Sequence, residues 1–488
     1  LGAPAIAVLG VAGIALFGSM VLTYLPLARG SPAATTLALV IALGAGLLND
    51  NHAVRLAEEV PALARLAPAA HYAEWRKHNP GPGTPGPEPV VLVAASGGGI
   101  RAAYWTASAL AHLEGTPGFR DNLFALSGVS GGSLGAATYV ALRHQQPGGG
   151  DRESLLAAVR EALAGDFLSP VVAGMLFPDL VQRFLPVPVA WADRQRFLER
   201  SWEDALGPAS AVFAGAFSAL YAGEMRFRLP SLLLNATRVE TGQRAVVSNL
   251  ALEDFPDTVD LLDPDLASRA VRLSAAAGLS ARFTYVSPAG TVARAAGGRL
   301  RVVDGGYFEN SGAAAVSDLL DQMRRSEGSY RPILVLIRND PVAPSVCRRT
   351  RASGALPGEQ RAAGGGFNAS VSEVLAPVEA LLHTRGARGR LAEVEAARAV
   401  EALGGVVVEV PLAAVTAAQL AGVKTADERA RVKARMVEPP LGWSLSGTVR
   451  AAMDAVLDQG AGGLAAEVAV LRAALAGQVD PGMACNAR

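Results

Sequence analysis

Three glycine-rich segments hold the residues of this 488-residue chain best suited to chemistry. Ser130 lies in Gly128-Val129-Ser130-Gly131-Gly132, which fits G-x-S-x-G. A serine on a sharp strand-to-helix turn sits in a strained backbone, and only flanking glycines let the neighbouring chain segments approach. Its hydroxyl is then exposed near the positive end of the following helix. An ordinary glycine-rich turn has the same composition. One unit upstream, Ser96-Gly97-Gly98-Gly99-Ile100-Arg101 leaves several N–H groups unshielded at a helix start. Such a loop suits an anion, including the oxyanion of an acyl-transfer intermediate. It also reads as a dinucleotide fingerprint through Gly97, Gly99 and Ala102, but the acidic residue wanted about 20 positions later is missing from Ser127-Gly128-Val129-Ser130. The third segment, Arg301-Val302-Val303-Asp304-Gly305-Gly306, ends a short strand in an aspartate with no side chains after it. Asp-Gly is equally a common turn pair.

The elements that would position these residues follow from hydrophobic runs. Val90–Ala95 is a buried strand, Ile100–Leu113 a helix, Asn122–Leu126 a second strand and Ser133–His144 a second helix. This succession predicts an α/β fold with a mostly parallel sheet between helical layers. Arg331–Ile337 and Gly405–Val410 add buried strands, and Leu229–Asn249 a hairpin turning at Thr241-Gly242. Leu391–Leu403 and Gly463–Ala476 read as amphipathic packing helices, and Gly354–Phe367 as a mobile loop. The aromatic-rich stretch Asp151–Leu229 is either an acyl-chain pocket or ordinary core.

At the N-terminus, Ala5–Leu25 is uncharged and long enough for a bilayer span, which takes about 20 residues. Ala33–Leu48 is a second, shorter apolar run after a turn at Arg29–Pro32. The pair is expected to form a transmembrane hairpin, with a signal peptide or a buried hairpin as rival readings. Asn49–Asn79 reads as a polar helical connector and Asn79–Pro89 as a Pro/Gly linker. The expected organisation is therefore residues 1–48, 49–89, a catalytic core over 90–340 and a C-terminal part over 341–488. The basic residues after Leu48 outnumber Arg29 and place the main domain in the cytoplasm by the positive-inside rule.

Composition narrows the function classes. Lys+Arg and Asp+Glu both number 44, which argues against general nucleic-acid binding. Two cysteines, Cys347 and Cys485, exclude a disulfide-dense scaffold, and six scattered histidines give no metal signature. No cofactor is called for. The oligomeric state is not legible, nor is whether the two cysteines pair.

Taken in chain order, Gly97-Gly98-Gly99-Ile100-Arg101, Gly128-Val129-Ser130-Gly131-Gly132 and Asp304-Gly305-Gly306 resemble the patatin-like phospholipase family and, more distantly, the group IV cytosolic phospholipases. Leu233–Asn249 and Ser274–Pro288 are similar to supporting segments of that family, so the resemblance spans Val90 to Arg338. It implies a patatin-like three-layer α/β/α domain, a membrane lipid as substrate and ester hydrolysis by a Ser130–Asp304 dyad. It further implies an oxyanion hole from Gly97, Gly98, Gly99 and Gly131, with Arg101 holding a lipid phosphate or assisting the oxyanion. A helix-surface role for Arg101 stays open. Two other functions stay open as well: a Ser–His–Asp esterase using His383, and a catalytically silent membrane protein that binds lipid or a partner. His144 ends the helix that begins at the serine, roughly 20 Å away at 1.5 Å per residue, and is out of reach.

Overall fold

The computed structural model describes residues 1–24, 32–61, 63–81, 86–146, 151–283, 286–325, 329–340, 345–346, 369–412, 415, 423, 425, 428, 432, 439–459 and 464–478. The turn at Arg29–Ser31, both cysteines and the segment Gly354–Phe367 lie outside the described residues.

The strands in chain order are β1 (Glu88–Ala95), β2 (Leu123–Val129), β3 (Ser231–Arg238), β4 (Arg244–Ser248), β5 (Thr258–Asp260), β6 (Gly290–Ala293), β7 (Arg299–Asp304), β8 (Tyr330–Arg338) and β9 (Val406–Pro411). They form one sheet in the order β5-β4-β3-β2-β1-β8-β9, with β7 joined to β3 and β6 to β7. From β3 through β2, β1 and β8 to β9 every pairing is parallel. The contacts β3–β4, β3–β7 and β6–β7 are antiparallel.

The valine-rich runs that read as buried strands supply both faces of the sheet. Val91, Val93 and Ala95 of β1, with Val406, Val408 and Val410 of β9, enter one apolar core. Val90, Leu92 and Ala94, with Leu334, Leu336 and Val407, enter the other. This period of two over fully buried strands is what a sheet covered on both sides requires. Helices Gly99–Leu113, Gly131–His144 and Arg194–Ala205 contribute to the first core, while helices Pro68–His78, Ala313–Met323 and the end of Ala369–Ala402 contribute to the second. The fold is a three-layer α/β/α sandwich.

Helix α1 (Ala3–Tyr24) has 22 residues and is long and apolar enough to cross a membrane. Helix α2 (Pro32–Leu48) has 17 and falls short of that length, at about 25 Å against a hydrocarbon core of about 30 Å. The expected hairpin thus contains one helix of spanning length. The expectation of a helical connector from Asn49 is corrected too: helix begins only at Pro68. Residues 49–61 and 63–67 are extended and pack into the domain instead, where Val54 N–H donates to Thr291 O at 3.1 Å, Ala57 N–H to Ala270 O at 2.8 Å and Ala251 N–H to Leu66 O at 2.9 Å. The two arginines of this segment are used internally. Arg55 pairs with Glu203 at 2.8 Å and Glu199 at 3.2 Å, and Arg65 with Asp260 at 2.6 Å.

Arg55, Glu199 and Glu203 are all buried. Removing one partner of a buried ion pair strands the other charge, at a cost of about 3–5 kcal/mol. Arg55→Ala is therefore expected to lower the unfolding free energy by about 3 kcal/mol or more, measured by urea titration of the detergent-solubilised chain. A change below about 1 kcal/mol, the range of a surface ion pair, would show that the connector does not anchor the domain.

Candidate active site

The three glycine-rich segments meet at one place because of how two strands end. β2 runs parallel to β3 and stops with Val129 opposite Asn235. β7 runs antiparallel to β3 and stops with Asp304 opposite Ala236, the next residue. With β4 paired to the other edge of β3, the C-terminal ends of β2 and β7 converge head to head along one edge. Ser130 follows the first end and Asp304 closes the second. Gly305 is required there, because a Cβ would collide with the carbonyl of Asn235.

Ser130 adopts φ 52° and ψ −122°, a left-handed φ shared with only one other non-glycine residue, Asp257, among the described residues. The strain at Ser130 is over-determined by its surroundings. Ser130 N–H donates to Ser280 Oγ at 2.9 Å, Ser133 and Ser280 hydroxyls lie 2.8 Å apart, and Ser280 Oγ donates to Asn235 O. Asn235 Nδ2 in turn donates to Gly128 O at 2.8 Å. The small-residue helix Leu273–Ser280 is thus a prop for the serine turn. The hydrogen-bonding role of Ser280 had no signature in the sequence.

Asp304 is 3% exposed. Its Oδ1 accepts from Gly306 N–H at 2.7 Å, and Thr237 Oγ1 donates to its main-chain carbonyl at 2.9 Å. Its Oδ2 is buried without a regular hydrogen bond. Burial pushes the carboxyl up to about 6; the Ser130 hydroxyl beside it, the Gly306 N–H and the Arg385 charge pull the other way.

The glycine loop lies against the serine turn. A Cβ on Gly131 would strike Gly99 O, and one on Gly97 would fall 3.0 Å from Ser130 Cβ. Gly97 N–H is already donated to Asn310 O at 2.9 Å, so it differs from the expectation of a free oxyanion donor. Gly98 and Gly99, at φ 153° and 59°, and Gly131 give their N–H groups to no other residue among those described. Arg101 is engaged: Nε donates to Asn339 Oδ1 at 2.8 Å and Nη1 to Pro439 O at 2.9 Å. Asn339 also donates to Gly97 O, and Gly442 O accepts from Ile100 N–H at 2.8 Å. Residues beyond Arg338, outside the resemblance, therefore hold the glycine loop. Ser311 Oγ accepts from the N–H of Ala313, the first residue of the next helix, at 3.1 Å, whereas Asn310 Nδ2 reaches back to Gly97 O.

Ser130, Asp304, Gly97–Gly99 and Arg101 line a cavity of about 410 Å³. Its apolar wall is Leu168, Phe283, Val286, Leu441 and Trp443, so the stretch Asp151–Leu229 supplies only Leu168. Helix Ala369–Ala402 crosses the cavity at Arg385, Gly386, Gly389 and Arg390, where the sequence reads as an Arg-rich turn. Gly389 permits this closeness, since its Cβ would lie 3.2 Å from Asn310 N. His383 is exposed on the same helix and does not line the cavity, and neither does any other histidine among the described residues.

The raised carboxyl has a consequence for stability. Folded Asp304 keeps its proton to about pH 6 against 3.8 for the free group. The folded state binds the extra proton between those values, so this group's contribution to stability falls as pH rises through that window. Above it, the buried charge costs about 3 kcal/mol. Asp304→Asn is expected to melt above the parent at pH 8, with the difference shrinking at pH 5. A difference that does not change between the two pH values would contradict the burial argument.

No protein-family model matches this sequence, and no curated protein matches it. Among solved structures the chain is similar to human GIVD cytosolic phospholipase A2, at 14% identity and a TM-score of 0.44, over 90% of this chain and 69% of that one.

Proposed function

We propose that the chain is a membrane-associated serine acyl-hydrolase of patatin-like type that cleaves acyl esters of lipids through Ser130 and Asp304. The observation that carries this reading is the convergence of a strained serine and a buried carboxyl whose Oδ2 has no regular hydrogen bond, at the mouth of two glycine turns in an amphipathic cavity. In this reading Ser130 Oγ attacks the ester carbonyl while its proton passes to Asp304. The N–H groups of Gly98, Gly99 and Gly131 receive the oxyanion. Collapse expels the alcohol, which takes the proton from Asp304. Water then attacks the acyl-enzyme, giving its proton to the same carboxylate; collapse breaks the Ser130 Oγ–acyl bond, Ser130 Oγ takes that proton back from Asp304, and the fatty acid is released. Arg101 acts through Asn339 as a brace of the glycine loop.

A histidine-based triad is disfavoured by the exposure of His383 and its place outside the cavity. Ser130→Ala is expected to lower kcat on a lipid ester by at least about 10³-fold, and Asp304→Asn by at least about 10²-fold. His383→Ala is expected to stay within tenfold of the parent, on the order of a non-catalytic change. Because Asp304 must be ionised to accept a proton, the parent's kcat should rise through about pH 6 and level off above it. A fluorophosphonate probe should label the parent and not Ser130→Ala. Loss of activity in the histidine variant with retention in Asp304→Asn would replace the dyad by the triad, and a parent that resists the probe and cleaves no ester would favour a lipid-binding role.

Membrane attachment rests on α1 and on the surface beside it. Asn49 Nδ2, just past α2, donates to Gln182 O, Leu185 O and Val187 O at 3.0–3.1 Å. That segment exposes Phe177, Val181, Phe184, Val187 and Trp191. Gly10 of α1 lies against Leu176, next to Phe177, and an apolar surface continuous with a helix of spanning length suits a bilayer interface. The expected outcome is that the chain stays in the membrane fraction after alkaline carbonate washing; its release would refute insertion. The cytoplasmic orientation rests on the remaining basic residues, because Arg55 and Arg65 are bound within the domain, and labelling of the domain from outside intact cells would overturn it.

A further inference from the structure

We propose that Asn310 is a third catalytic residue, whose Oδ1 accepts a hydrogen bond from the water that hydrolyses the acyl-enzyme and so selects water over an alcohol as acyl acceptor. The inference rests on the acyl-hydrolase reading and deepens it. It starts from two glycines that face the same atom. A Cβ on Gly97 would fall 2.3 Å from Asn310 Oδ1 and 3.0 Å from Ser130 Cβ. A Cβ on Gly306 would fall 2.9 Å from the same oxygen and 3.0 Å from Asp304 Oδ1. The Asn310 oxygen is therefore no farther from either dyad residue than two such contacts laid end to end. One water with hydrogen bonds of about 2.8 Å spans a gap of that size. Asn310 lines the cavity together with Ser130 and Asp304. Its amide is oriented by Nδ2, which donates to Gly97 O at 3.3 Å and leaves Oδ1 as the end beside the dyad. Oδ1 accepts no hydrogen bond among the described residues.

The turn that carries Asn310 is held on both flanks. The buried Glu309 carboxylate accepts from Ser311 N–H and Ser311 Oγ, both at 2.6 Å, and from Gly312 N–H at 2.8 Å. Glu309 N–H donates to Gly305 O at 3.2 Å, and Asn310 O accepts from Gly97 N–H at 2.9 Å. A short side chain on so fixed a turn has little freedom, which suits it to placing a small reactant. Deacylation asks for such an acceptor. Water has two O–H bonds. One gives its proton to Asp304 as the water oxygen bonds to the acyl carbon, and collapse then breaks the bond to Ser130 Oγ, which recovers that proton. The other O–H stays on the oxygen and leaves with the fatty acid. Away from bulk water that second O–H is a costly unpaired donor unless something accepts from it. Asn310 Oδ1 is placed to do so. An alcohol has a single O–H, which goes to Asp304, so the same oxygen offers it nothing.

The experiment gives the full-length parent, Asn310→Ala and Asn310→Asp a p-nitrophenyl acyl ester in detergent micelles, with methanol as a competing acceptor. The buffer is set above the pH at which Asp304 loses its proton, about 6. Release of p-nitrophenol in the first turnover reads acylation, the steady rate that follows reads deacylation, and chromatography gives the ratio of methyl ester to free acid. That ratio is decided after the acyl-enzyme has formed, so it reports on folded enzyme alone and is blind to any misfolded fraction. In Asn310→Ala, deacylation by water should fall about tenfold or more, acylation should stay within about threefold, and the ester-to-acid ratio should rise about tenfold. Asn310→Asp keeps an acceptor oxygen and should return the ratio to near the parent's value. An Asn310→Ala enzyme whose ratio does not rise overturns the proposal, and if acylation and deacylation have fallen together, Asn310 only braces the glycine loop. A parent that releases no p-nitrophenol and resists a fluorophosphonate overturns the acyl-hydrolase reading itself, and this role with it.

Discussion

The arrangement of this domain depends on a single break along the edge of β3. Up to Asn235 that edge is occupied by β2, and from Ala236 onward by β7 running the opposite way. Two chain ends that approach head to head leave a gap that no side chain fits, which explains the glycines on both sides of it. Gly305 lies against Asn235 O, and Gly128 against the first turn of the helix that follows Ser130. The same gap brings a hydroxyl and a carboxyl from residues 174 positions apart to one point without either reaching out on a long, flexible side chain. Preorganisation of this kind is achieved by backbone position, which is the stiffest support a fold offers.

Around the gap, polar groups are satisfied in relays. Ser280, Asn235, Ser127 and Gly312 pass hydrogen bonds beneath the serine turn, and Asn310, Asn339 and Ser96 do so beneath the glycine loop. Both relays lie in a buried region where an unpaired polar group costs about 1–3 kcal/mol. Two buried oxygens beside these relays, Asn235 Oδ1 and Asp304 Oδ2, keep no regular hydrogen bond, and the Asp304 carboxyl also has a raised affinity for its proton.

The Asp304 backbone is linked to the N-terminal connector by a buried chain of ion pairs and one hydrogen bond. Arg55, from the connector, meets Glu199 and Glu203; Glu199 lies 3.8 Å from Arg282; and the Arg282 carbonyl accepts from Asp304 N–H at 3.2 Å. Desolvation makes such a chain intolerant of losing one member. The connector is therefore part of the domain's interior and not a tether, and its arginines cannot be counted as loose juxtamembrane charge.

Sequence alone determined the elements whose signal is local. The valine-rich runs identified β1, β8 and β9 because a doubly covered strand needs apolar residues at every position. The G-x-S-x-G spacing located the strained serine because only glycine neighbours permit that turn, and the strand end at Asp304 was equally legible. What lay beyond it was non-local. The helical reading of residues 49–67 failed because backbone partners on Thr291, Ala270 and Leu250, more than 180 residues away, outcompete local propensity. The Arg-Gly run at 385–390 reads as a turn by composition, yet it is helical, and Gly389 lets that helix pass close to Asn310. Only the tertiary structure decided which arginines are neutralised and which are not, because charge balance is a property of what surrounds a side chain and not of its neighbours in sequence.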